Sequence, residues 1–261
     1  MKTIGVIPAR LAASRFPNKP MARILGIPMI GHVYFRSKMC SQLGDVWVAT
    51  CDKEIFDYVL SIGGKAVMTA GTHERASDRC AEAMLEIEKR TGEKTDILAM
   101  VQGDEPMVHP DMISEAVDPM RKDSAIRISN LSAEIKTEAD FEDPNQVKVV
   151  VDRKGDAIYF SREPIPSRRK FSGKVPMMRQ LGLIAFRRDA LLEFTKMAQA
   201  PLEIIESVDM LRFIENGIKI RMSRTRFEAA SVDTLEDLRR VETLMAEDAL
   251  VKNYVSSYAG K

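Results

Sequence analysis

The loop that follows the first apolar run of this chain carries side chains suited to binding phosphate. Residues 3–8 (TIGVIP) are apolar and rich in β-branched side chains, which predicts a buried strand. The segment after it carries one hydroxyl and three cations, namely Ser14, Arg10, Arg15 and Lys19. A guanidinium offers a planar fork that matches phosphate oxygens, and an ammonium offers a compact charge. The segment lacks the glycines of the common phosphate-binding loops, so it indicates either a different triphosphate cradle or a solvated basic loop.

Carboxylates at two separate places could hold a divalent cation. Asp104 and Glu105 follow the apolar run 96–102 (DILAMVQ), and Gly103 allows the backbone to approach a ligand closely. Hard cations such as Mg²⁺ take carboxylate oxygens together with substrate phosphates. We therefore predict Asp104 as a metal ligand, with an ordinary surface turn as the alternative.

Asp233 provides the second carboxylate. It lies just before a predicted helix whose start is marked by Thr234 and an acidic first turn. Two interpretations remain open from spacing alone. Either Asp233 shares one Mg²⁺ with Asp104, or Asp233 and Thr234 are helix caps.

The segment 72–79 (THERASDR) forms a third cluster. Arg75 and Arg79 are one helical turn apart and can face the same side of a helix. They could read a base or hold phosphate, or they could be satisfied surface charges at a helix start. The three histidines show no metal-ligand spacing, and we interpret them as surface or partly buried residues: His32, His73 and His109.

The elements that would position these residues alternate between short apolar strands and helical patterns. The predicted strands are 3–8, 45–50, 66–69 and 96–102, and the predicted helices are 28–40, 53–62 and 75–90. This alternation is typical of an α/β fold with a doubly wound, mostly parallel, Rossmann-like sheet. In such sheets ligands bind beyond the carboxyl ends of the strands, where both the cationic loop and Asp104 would lie.

The second half of the chain has a different pattern. Predicted strands are 126–135, 147–152, 157–161, 180–186 and 218–222, with a hairpin turn at Gly155 and helices at 202–215 and 235–250. We predict a single domain over residues 1–261, with a β-rich subdomain at about 125–185.

Composition and charge exclude several classes of protein. The 261 residues carry 39 Lys+Arg against 38 Asp+Glu, and this net charge of +1 gives no global attraction to nucleic acid or to an anionic membrane. No apolar stretch approaches the ~20 residues that would span a bilayer. The three cysteines are widely spaced and contain no paired motif. We therefore expect a cytoplasmic protein without membrane insertion or a nucleic-acid partner.

Seven strings of the sequence occur in the order found in one family of sugar-activating enzymes. They are VIPARLAASRFPNKP, HERASDR, VQGDEP, VKVVVDRKGDAIYFSREPIP, LGLIAFR, LEIIESVDMLRFIENG and VDTLEDL. Over roughly residues 3–245 the chain resembles the CMP-Kdo synthetases, which are 3-deoxy-manno-octulosonate cytidylyltransferases. The resemblance implies an Mg²⁺-dependent transfer of CMP from CTP to a 2-keto sugar acid, with release of pyrophosphate, in lipopolysaccharide biosynthesis. It also implies a homodimer whose contacts involve the β-rich segment.

The resemblance also assigns roles to individual residues. The phosphate ligands would be Arg10, Ser14, Arg15 and Lys19, and the cytidine would be seated by Arg79 and Gln102. The catalytic groups would be Lys19, Asp104 and Asp233, of which the two aspartates would ligate Mg²⁺. The sugar acid would be bound by Arg162, Gln180, Glu206 and Asp209.

The chain departs from the family pattern mainly on the sugar side. Gln180 and Ile184 replace a histidine and a tyrosine, while Asp209 and Met210 replace a glutamate and a glutamine. Each lost hydrogen bond to a substrate would cost on the order of 1–3 kcal/mol. We therefore expect an altered acceptor, such as an amino-substituted octulosonate, another 2-keto acid or a phosphonate. The alternatives are a nucleotidyltransferase that uses another base or a sugar 1-phosphate, and a catalytically silent nucleotide-binding relative.

Overall fold

The structure is a computed structural model that describes residues 1–12 and 16–258. The strands, in chain order, are β1 (Thr3–Ala9), β2 (Arg23–Ile24), β3 (Ile27–Pro28), β4 (Asp45–Thr50), β5 (Ala66–Met68), β6 (Ile97–Met100), β7 (Ile128–Glu134), β8 (Lys148–Val151), β9 (Ala157–Ser161), β10 (Met178–Arg187) and β11 (Arg221–Thr225). The helices are α1 (Met29–Lys38), α2 (Lys53–Ser61), α3 (Ala76–Thr91), α4 (Pro110–Lys122), α5 (Glu138–Glu142), α6 (Arg188–Phe194), α7 (Pro201–Glu206), α8 (Met210–Glu215), α9 (Leu235–Glu247) and α10 (Ala249–Tyr258).

The first four long strands form a parallel sheet. The strands β6, β1, β4 and β5 lie side by side in that order, and each pairing is parallel. Every residue of β1 is buried, as expected for a parallel strand that is covered on both faces. The register aligns Val6 with Trp47 on one side and with Met100 on the other, so three carboxyl ends meet at one edge. The predicted α/β fold with a mostly parallel central sheet is confirmed.

The chain divides into two compact units. The first comprises residues 1–114 and the chain from Glu228 onward, and the second comprises residues 115–227. The predicted β-rich segment 125–185 lies inside the second unit, which extends beyond it on both sides. The single-domain description, with that segment used for dimer contacts, stays a prediction.

The second unit has a mixed sheet. Strand β7 pairs with β10 in the antiparallel sense and with β11 in the parallel sense. Strands β8 and β9 form the predicted hairpin, whose turn contains Gly155 at a φ of +84°. Glycine adopts this left-handed conformation without steric cost, which explains why the turn could be recognised from the sequence.

The predicted continuous helix 202–215 is wrong. It is two helices, α7 and α8, separated by Ser207 at a φ of 51°. The Arg162 guanidinium donates to the carbonyl of Glu206 at 2.6 Å, and the amide of Val208 donates back to the carbonyl of Glu203. The Glu206 carbonyl, which would accept from a backbone amide in a continuous helix, thus accepts from the Arg162 side chain, and α7 ends there.

Other boundaries also differ from the sequence expectation. Helix α4 is absent from the sequence expectation, and it continues through the proline at position 119, a residue that usually interrupts a helix. The last strand is Arg221–Thr225 rather than 218–222, and the helix predicted over 235–250 is divided into α9 and α10 at Asp248. Among the described residues, no helix has the length and apolar character needed to cross a membrane.

Candidate active site

A cavity of about 730 Å³ lies at the carboxyl ends of β1 and β6 in the first unit. Its described lining includes four cationic and three carboxylate side chains. The lining residues are Pro8, Ala9, Arg10, Ala12, Phe16, Lys19, Pro20, His73, Glu74, Arg75, Ala76, Arg79, Gln102, Gly103, Asp104 and Asp233. The structure therefore brings three separate predicted clusters to one place, as the topology of the sheet requires.

Three charged side chains meet directly in this cavity. The Lys19 Nζ atom lies 2.7 Å from Asp104 Oδ2 and 3.1 Å from Asp233 Oδ1. The Lys19 side chain is only 13% exposed, whereas the two carboxylates are 33% and 44% exposed. Burial by itself lowers the pKa of Lys19, but the two carboxylates raise it above its ordinary value, so the ammonium is fully charged at neutral pH.

Close backbone packing places Asp104 at the edge of the sheet. A Cβ atom on Gly103 would lie 2.9 Å from the carbonyl oxygen of Pro8, a distance that real side chains essentially never show. The close approach that Gly103 allows is thus to strand β1 rather than to a ligand. The carbonyl of Asp104 also accepts a hydrogen bond from the amide of Val232 at 2.9 Å, which ties the Asp104 turn to the segment that carries Asp233.

The structure assigns the helix cap to Thr234 and leaves the metal role of Asp233 as a prediction. The helix cap is Thr234, whose hydroxyl accepts from the amide of Asp237, while the Asp237 carboxylate accepts from the amide of Thr234. The side chain of Asp233 instead contacts Lys19. Asp233 is therefore available to the cavity, and the capping role belongs to its neighbour.

The cationic loop is fastened at its base. Lys19 begins a single 3₁₀ turn (Lys19–Met21), and Asn18 before it has a φ of 58°. The amide of Asn18 donates to the carbonyl of Leu11 at 3.2 Å, which closes the loop. The amide of Leu11 in turn donates to Asp52 Oδ2 at 2.8 Å. Arg10 lines the cavity with an exposed side chain, whereas the predicted ligands Ser14 and Arg15 lie outside the described residues.

Arg79 has a different environment from Arg10. It is only 3% exposed, and one terminal nitrogen donates to the hydroxyl of Thr69 at 2.6 Å and to the carbonyl of Ala70 at 3.4 Å. The other terminal nitrogen is buried without a hydrogen-bond partner among the described residues. A buried donor that lines a cavity and lacks a partner is costly unless a ligand supplies the acceptor. Gln102 lines the same cavity.

The sequence analysis did not single out Asp52, which fastens the cationic loop, or Glu82, which pairs with a cavity residue. Asp52 holds the base of the loop, and His73, which lines the cavity, pairs through Nε2 with the carboxylate of Glu82. Burial alone would raise the pKa of Glu82, but the amide of Ala70 and the His73 ring lower it. Strand ends give a usable signal for Asp52, because it follows β4 as Asp104 follows β6. No comparable signal exists for Glu82.

The predicted sugar-side residues belong to the second unit. Glu206 accepts hydrogen bonds from the amide of Arg162 and from the hydroxyls of Ser161 and Tyr159. Burial would raise the pKa of Glu206, but these donors lower it below its ordinary value. Arg162 and Glu206 are thus brought together and hold each other in place.

The other two predicted sugar-side residues are Gln180 and Asp209. The amide nitrogen of Gln180 donates to Asn130 Oδ1 at 2.7 Å, and Asn130 donates to the carbonyls of Leu181 and Leu183. Asp209 is partly buried at the start of α8.

The donor set at Lys19 also fits a hard divalent cation. Asp104 Oδ2 and Asp233 Oδ1 both converge on a single positive charge, and carboxylate oxygens are the ligands that Mg²⁺ prefers. Over residues 1–12 and 16–258 no group of three or more histidine, cysteine, aspartate or glutamate side chains has metal-site geometry. A metal held by two carboxylates would therefore need further oxygen ligands from a substrate or water.

A parallel α/β sheet with a cationic loop and a carboxylate pair at its carboxyl edge has the features expected of a nucleotidyltransferase. Comparison with known proteins places it within that class. The cytidylyltransferase family matches residues 4–220, and the chain belongs to this family.

The relatives of the chain are named consistently. A 3-deoxy-manno-octulosonate cytidylyltransferase of Geobacter metallireducens is 43% identical over 92% of this chain and 96% of its own length. One of Trichlorobacter lovleyi is 39% identical over 95% of this chain and all of its own length. The solved structure of CMP:2-keto-3-deoxy-manno-octonic acid synthetase complexed with CTP matches with a TM-score of 0.88 at 38% identity, over 95% of this chain and 99% of that one.

A more distant structure shares the fold alone. The 4-diphosphocytidyl-2C-methyl-D-erythritol synthase of Anaerococcus prevotii matches with a TM-score of 0.61 at 12% identity. The predicted family membership and the predicted nucleotidyltransferase activity are confirmed by these comparisons.

Proposed function

We propose that the chain transfers CMP from CTP to 3-deoxy-manno-octulosonate with release of pyrophosphate. The observation that carries the proposal is the convergence of Lys19, Asp104 and Asp233 in a cavity at the carboxyl edge of the sheet. The relatives named for this reaction align with almost the whole chain. A silent nucleotide-binding relative would gain nothing from keeping two carboxylates directed at one cation.

The proposed reaction is a direct displacement that needs no covalent intermediate with the protein. The anomeric hydroxyl of the sugar acid forms a bond to the α-phosphorus of CTP, the bond from that phosphorus to the bridging oxygen breaks, and pyrophosphate leaves while the hydroxyl proton passes to water. Nucleotidyl transfer depends on positioning and on neutralising charge. In the proposed site Lys19 and Arg10 donate to phosphate oxygens, with Ser14 and Arg15 as further proposed phosphate ligands.

The base would be held deeper in the cavity. Arg79 has a buried donor without a partner, and cytosine offers a carbonyl oxygen and a ring nitrogen as acceptors. We assign Arg79 and Gln102 to the cytidine on this ground. A pyrimidine acceptor edge would satisfy the orphaned nitrogen of Arg79 and so recover the cost of burying it.

Asp104 and Asp233 are the proposed ligands of Mg²⁺. When bound, Mg²⁺ would neutralise phosphate charge and lower the pKa of the attacking hydroxyl. The residues of the chain itself would fix the geometry: the turn at Gly103 holds Asp104 against β1, and the capped start of α9 holds Asp233.

The acceptor is the least constrained part of the proposal. We assign Arg162, Gln180, Glu206 and Asp209 to the sugar acid because they match the family pattern or its replaced positions. The names of the relatives favour 3-deoxy-manno-octulosonate itself, whereas the replacements at positions 180, 184, 209 and 210 are the reason to expect an altered acceptor. The expectation of an altered acceptor therefore stays a prediction.

A coupled pyrophosphate-release assay tests the function. CTP plus 3-deoxy-manno-octulosonate with Mg²⁺ is expected to release pyrophosphate, and mass spectrometry is expected to find the CMP-sugar. Asp104→Asn is expected to abolish turnover, whereas Asp57→Asn, at a surface ion pair with Lys53, is the matched control. Release with an amino-substituted octulosonate but not with 3-deoxy-manno-octulosonate would show that the acceptor is the altered sugar acid. No release with any 2-keto acid would reject the proposed reaction.

Location and assembly complete the proposed function. We propose that the enzyme acts in the cytoplasm, which is supported by three free thiols at Cys40, Cys51 and Cys80. We also propose a homodimer, on the resemblance to the family, and light scattering of the purified protein would measure its mass. A role in lipopolysaccharide biosynthesis follows from the sugar that the relatives activate.

A further inference from the structure

We propose that Tyr254 is a positioning residue for the Lys19–Asp104–Asp233 group, acting through a buried anchor network made of His32, Arg36, Asp248 and Tyr254. The inference rests on the proposed function of that group. Tyr254 lies on α10, and in the described contacts this helix touches none of the three charged side chains. The inference therefore gives α10 an indirect role in the reaction.

The centre of the anchor network is a buried histidine. His32 is 0% exposed, which corrects its interpretation as a surface or partly buried residue. Its Nε2 atom lies 2.8 Å from the carbonyl of Ile24, and its Nδ1 atom lies 2.8 Å from the hydroxyl of Tyr254. A carbonyl can only accept, so Nε2 carries the proton and Nδ1 accepts from the phenol. Both ring nitrogens are thereby satisfied, and the direction of each bond is fixed.

Arg36 connects the same phenol to two further segments. It is 1% exposed, and its Nε donates to the hydroxyl of Tyr254 at 3.3 Å. One terminal nitrogen pairs with the carboxylate of Asp248, at the junction of α9 and α10. The other donates to the carbonyl of Met107 at 3.5 Å. Removal of the Tyr254 hydroxyl would leave the Nδ1 atom of His32 and the Nε group of Arg36 buried without partners.

Two anchored backbone positions lie a few residues beyond charged residues of the cavity. Ile24 lies in β2, five residues after Lys19, and Met107 lies three residues after Asp104. Asp233 directly precedes the cap of α9, the helix that leads to Asp248. The network therefore holds the segments that follow Lys19 and Asp104, and it holds the far end of the helix that Asp233 precedes.

The hairpin after Lys19 depends on this support. Leu25 has a φ of 48°, an unfavourable conformation for a leucine, and its amide donates to the carboxylate of Glu242 on α9 at 2.8 Å. Around it, an apolar cluster joins the hairpin to α9 and α10. Its buried members include Ile24, Ile27, Val232, Met245 and Tyr254. A strained turn held by the two last helices will move when their anchor is cut.

A matched pair of phenol deletions tests the inference. Tyr254→Phe and Tyr34→Phe each remove one buried hydroxyl from the first unit, since Tyr34 is 4% exposed and accepts from the amide of Lys65. Tyr254→Phe is expected to lower kcat by about tenfold to hundredfold at a temperature well below unfolding, because misplacing catalytic groups by about 1 Å has such effects. Tyr34→Phe is expected to keep kcat within about twofold of the parent.

A second pair of variants separates positioning from mere packing. His32→Gln keeps one donor and one acceptor, whereas His32→Leu keeps neither, so the glutamine variant is expected to retain more of kcat at equal unfolding temperature. In the parent, ¹⁵N NMR is expected to show the Nε2–H tautomer of His32, and the Nδ1 signal is expected to shift in Tyr254→Phe but not in Tyr34→Phe. If Tyr254→Phe does not fold, Asp248→Asn, which weakens the pair with Arg36, replaces it in the same comparison.

The outcomes distinguish this inference from the proposed function. Asp104→Asn is measured in the same assay. Loss of activity in Asp104→Asn together with equal kcat values for the two tyrosine variants would overturn the positioning role alone. Full activity in Asp104→Asn would overturn the proposed charged group, whatever the tyrosine variants do.

Discussion

Lys19 donates a 2.7 Å hydrogen bond to Asp104, which lies 85 residues further along the chain, at the end of a neighbouring strand. The same ammonium contacts Asp233 at 3.1 Å. Because one cation satisfies both carboxylates, a divalent cation and the ammonium cannot occupy the same two oxygens together. Phosphate oxygens, which attract the ammonium and also ligate Mg²⁺, would relieve that competition.

This relationship predicts the behaviour of Lys19→Met. Its kcat is expected to fall by about 10²-fold or more, because a donor to the transferring phosphate is lost. Its affinity for Mn²⁺ without nucleotide, measured by electron paramagnetic resonance, is expected to rise, since the two carboxylates lose their internal partner.

The matched control for Lys19→Met is Lys65→Met. Lys65 forms a surface ion pair with Asp45 outside the cavity, so both properties are expected to stay at the parent values. Equal Mn²⁺ affinity in Lys19→Met and the parent would show that the ammonium and the metal do not compete.

The sequence predicts where the charged residues of the site lie better than it predicts the buried contacts that hold them. Lys19 and Asp104 could be found because both follow apolar strands, and the carboxyl ends of parallel strands meet at one edge. Spacing could not establish the role of Asp233, because a residue just before a helix is more often a cap than a metal ligand. The observed bond to Lys19 shows that the Asp233 side chain faces the cavity, and its role as a metal ligand stays a prediction.

The anchor network could not be predicted for a different reason. His32 and Tyr254 are 222 residues apart, and neither belongs to a recognisable motif. Their partnership depends on how α10 packs against α1, which local patterns do not encode. In the same way, the break at Ser207 depends on hydrogen bonds from Arg162, a residue 45 positions earlier, and so a continuous helix was the natural expectation.

A further prediction concerns the base of the phosphate loop. Asp52→Ala removes the acceptor for the amide of Leu11, and the loss of one hydrogen bond of about 1 kcal/mol is expected to raise the KM for CTP about fivefold. Asp52→Asn keeps a side-chain oxygen and is expected to stay within about twofold of the parent. The measurement is steady-state kinetics at saturating sugar acid.

The control for the loop is Asp57→Ala on the nearby helix α2, which breaks only a surface pair with Lys53. A KM in Asp52→Ala no higher than in Asp57→Ala would mean that the loop does not need this fastening.

Arg79 gives a prediction about nucleotide binding. Arg79→Lys removes the planar fork, including the buried nitrogen that lacks a partner, and is expected to raise the KM for CTP by about tenfold or more, since a lysine cannot donate from two fixed positions. Thermal shifts with CTP, UTP, ATP and GTP would show whether the preference for CTP also declines. Arg90→Lys, on the same helix α3, is the control because Arg90 donates to the carbonyl of Ala66 away from the cavity. Similar KM values for CTP in these two variants would show that Arg79 does not bind the nucleotide.

The stability of the protein is expected to fall in mild acid because of His32. The pKa of His32 is lowered from 6.5 to about 4, mainly by burial and also by the nearby Arg36 charge, while the carbonyls of Ile24 and Ile27 oppose both effects. Tyr254 and, beyond Arg36, Asp248 are the other ionisable groups that face it. Between the two pKa values the unfolded chain binds a proton that the folded chain does not, so stability is present above pH 6.5 and is lost as the pH falls towards 4.

Urea unfolding at several pH values measures this effect. A gap of about 2.5 between the pKa values, at about 1.4 kcal/mol per unit, corresponds to a loss of about 3 kcal/mol. Protonation of carboxylates with lowered pKa values, such as Asp248 and Glu82, also destabilises the protein as the pH falls, but it does so over a lower pH range. The comparison is therefore with His32→Gln, which cannot titrate and is expected to lose about 3 kcal/mol less between pH 7 and pH 4. A buried neutral His32 should make the parent lose more stability than His32→Gln over this range. Parallel stability curves for the two proteins would therefore contradict that assignment.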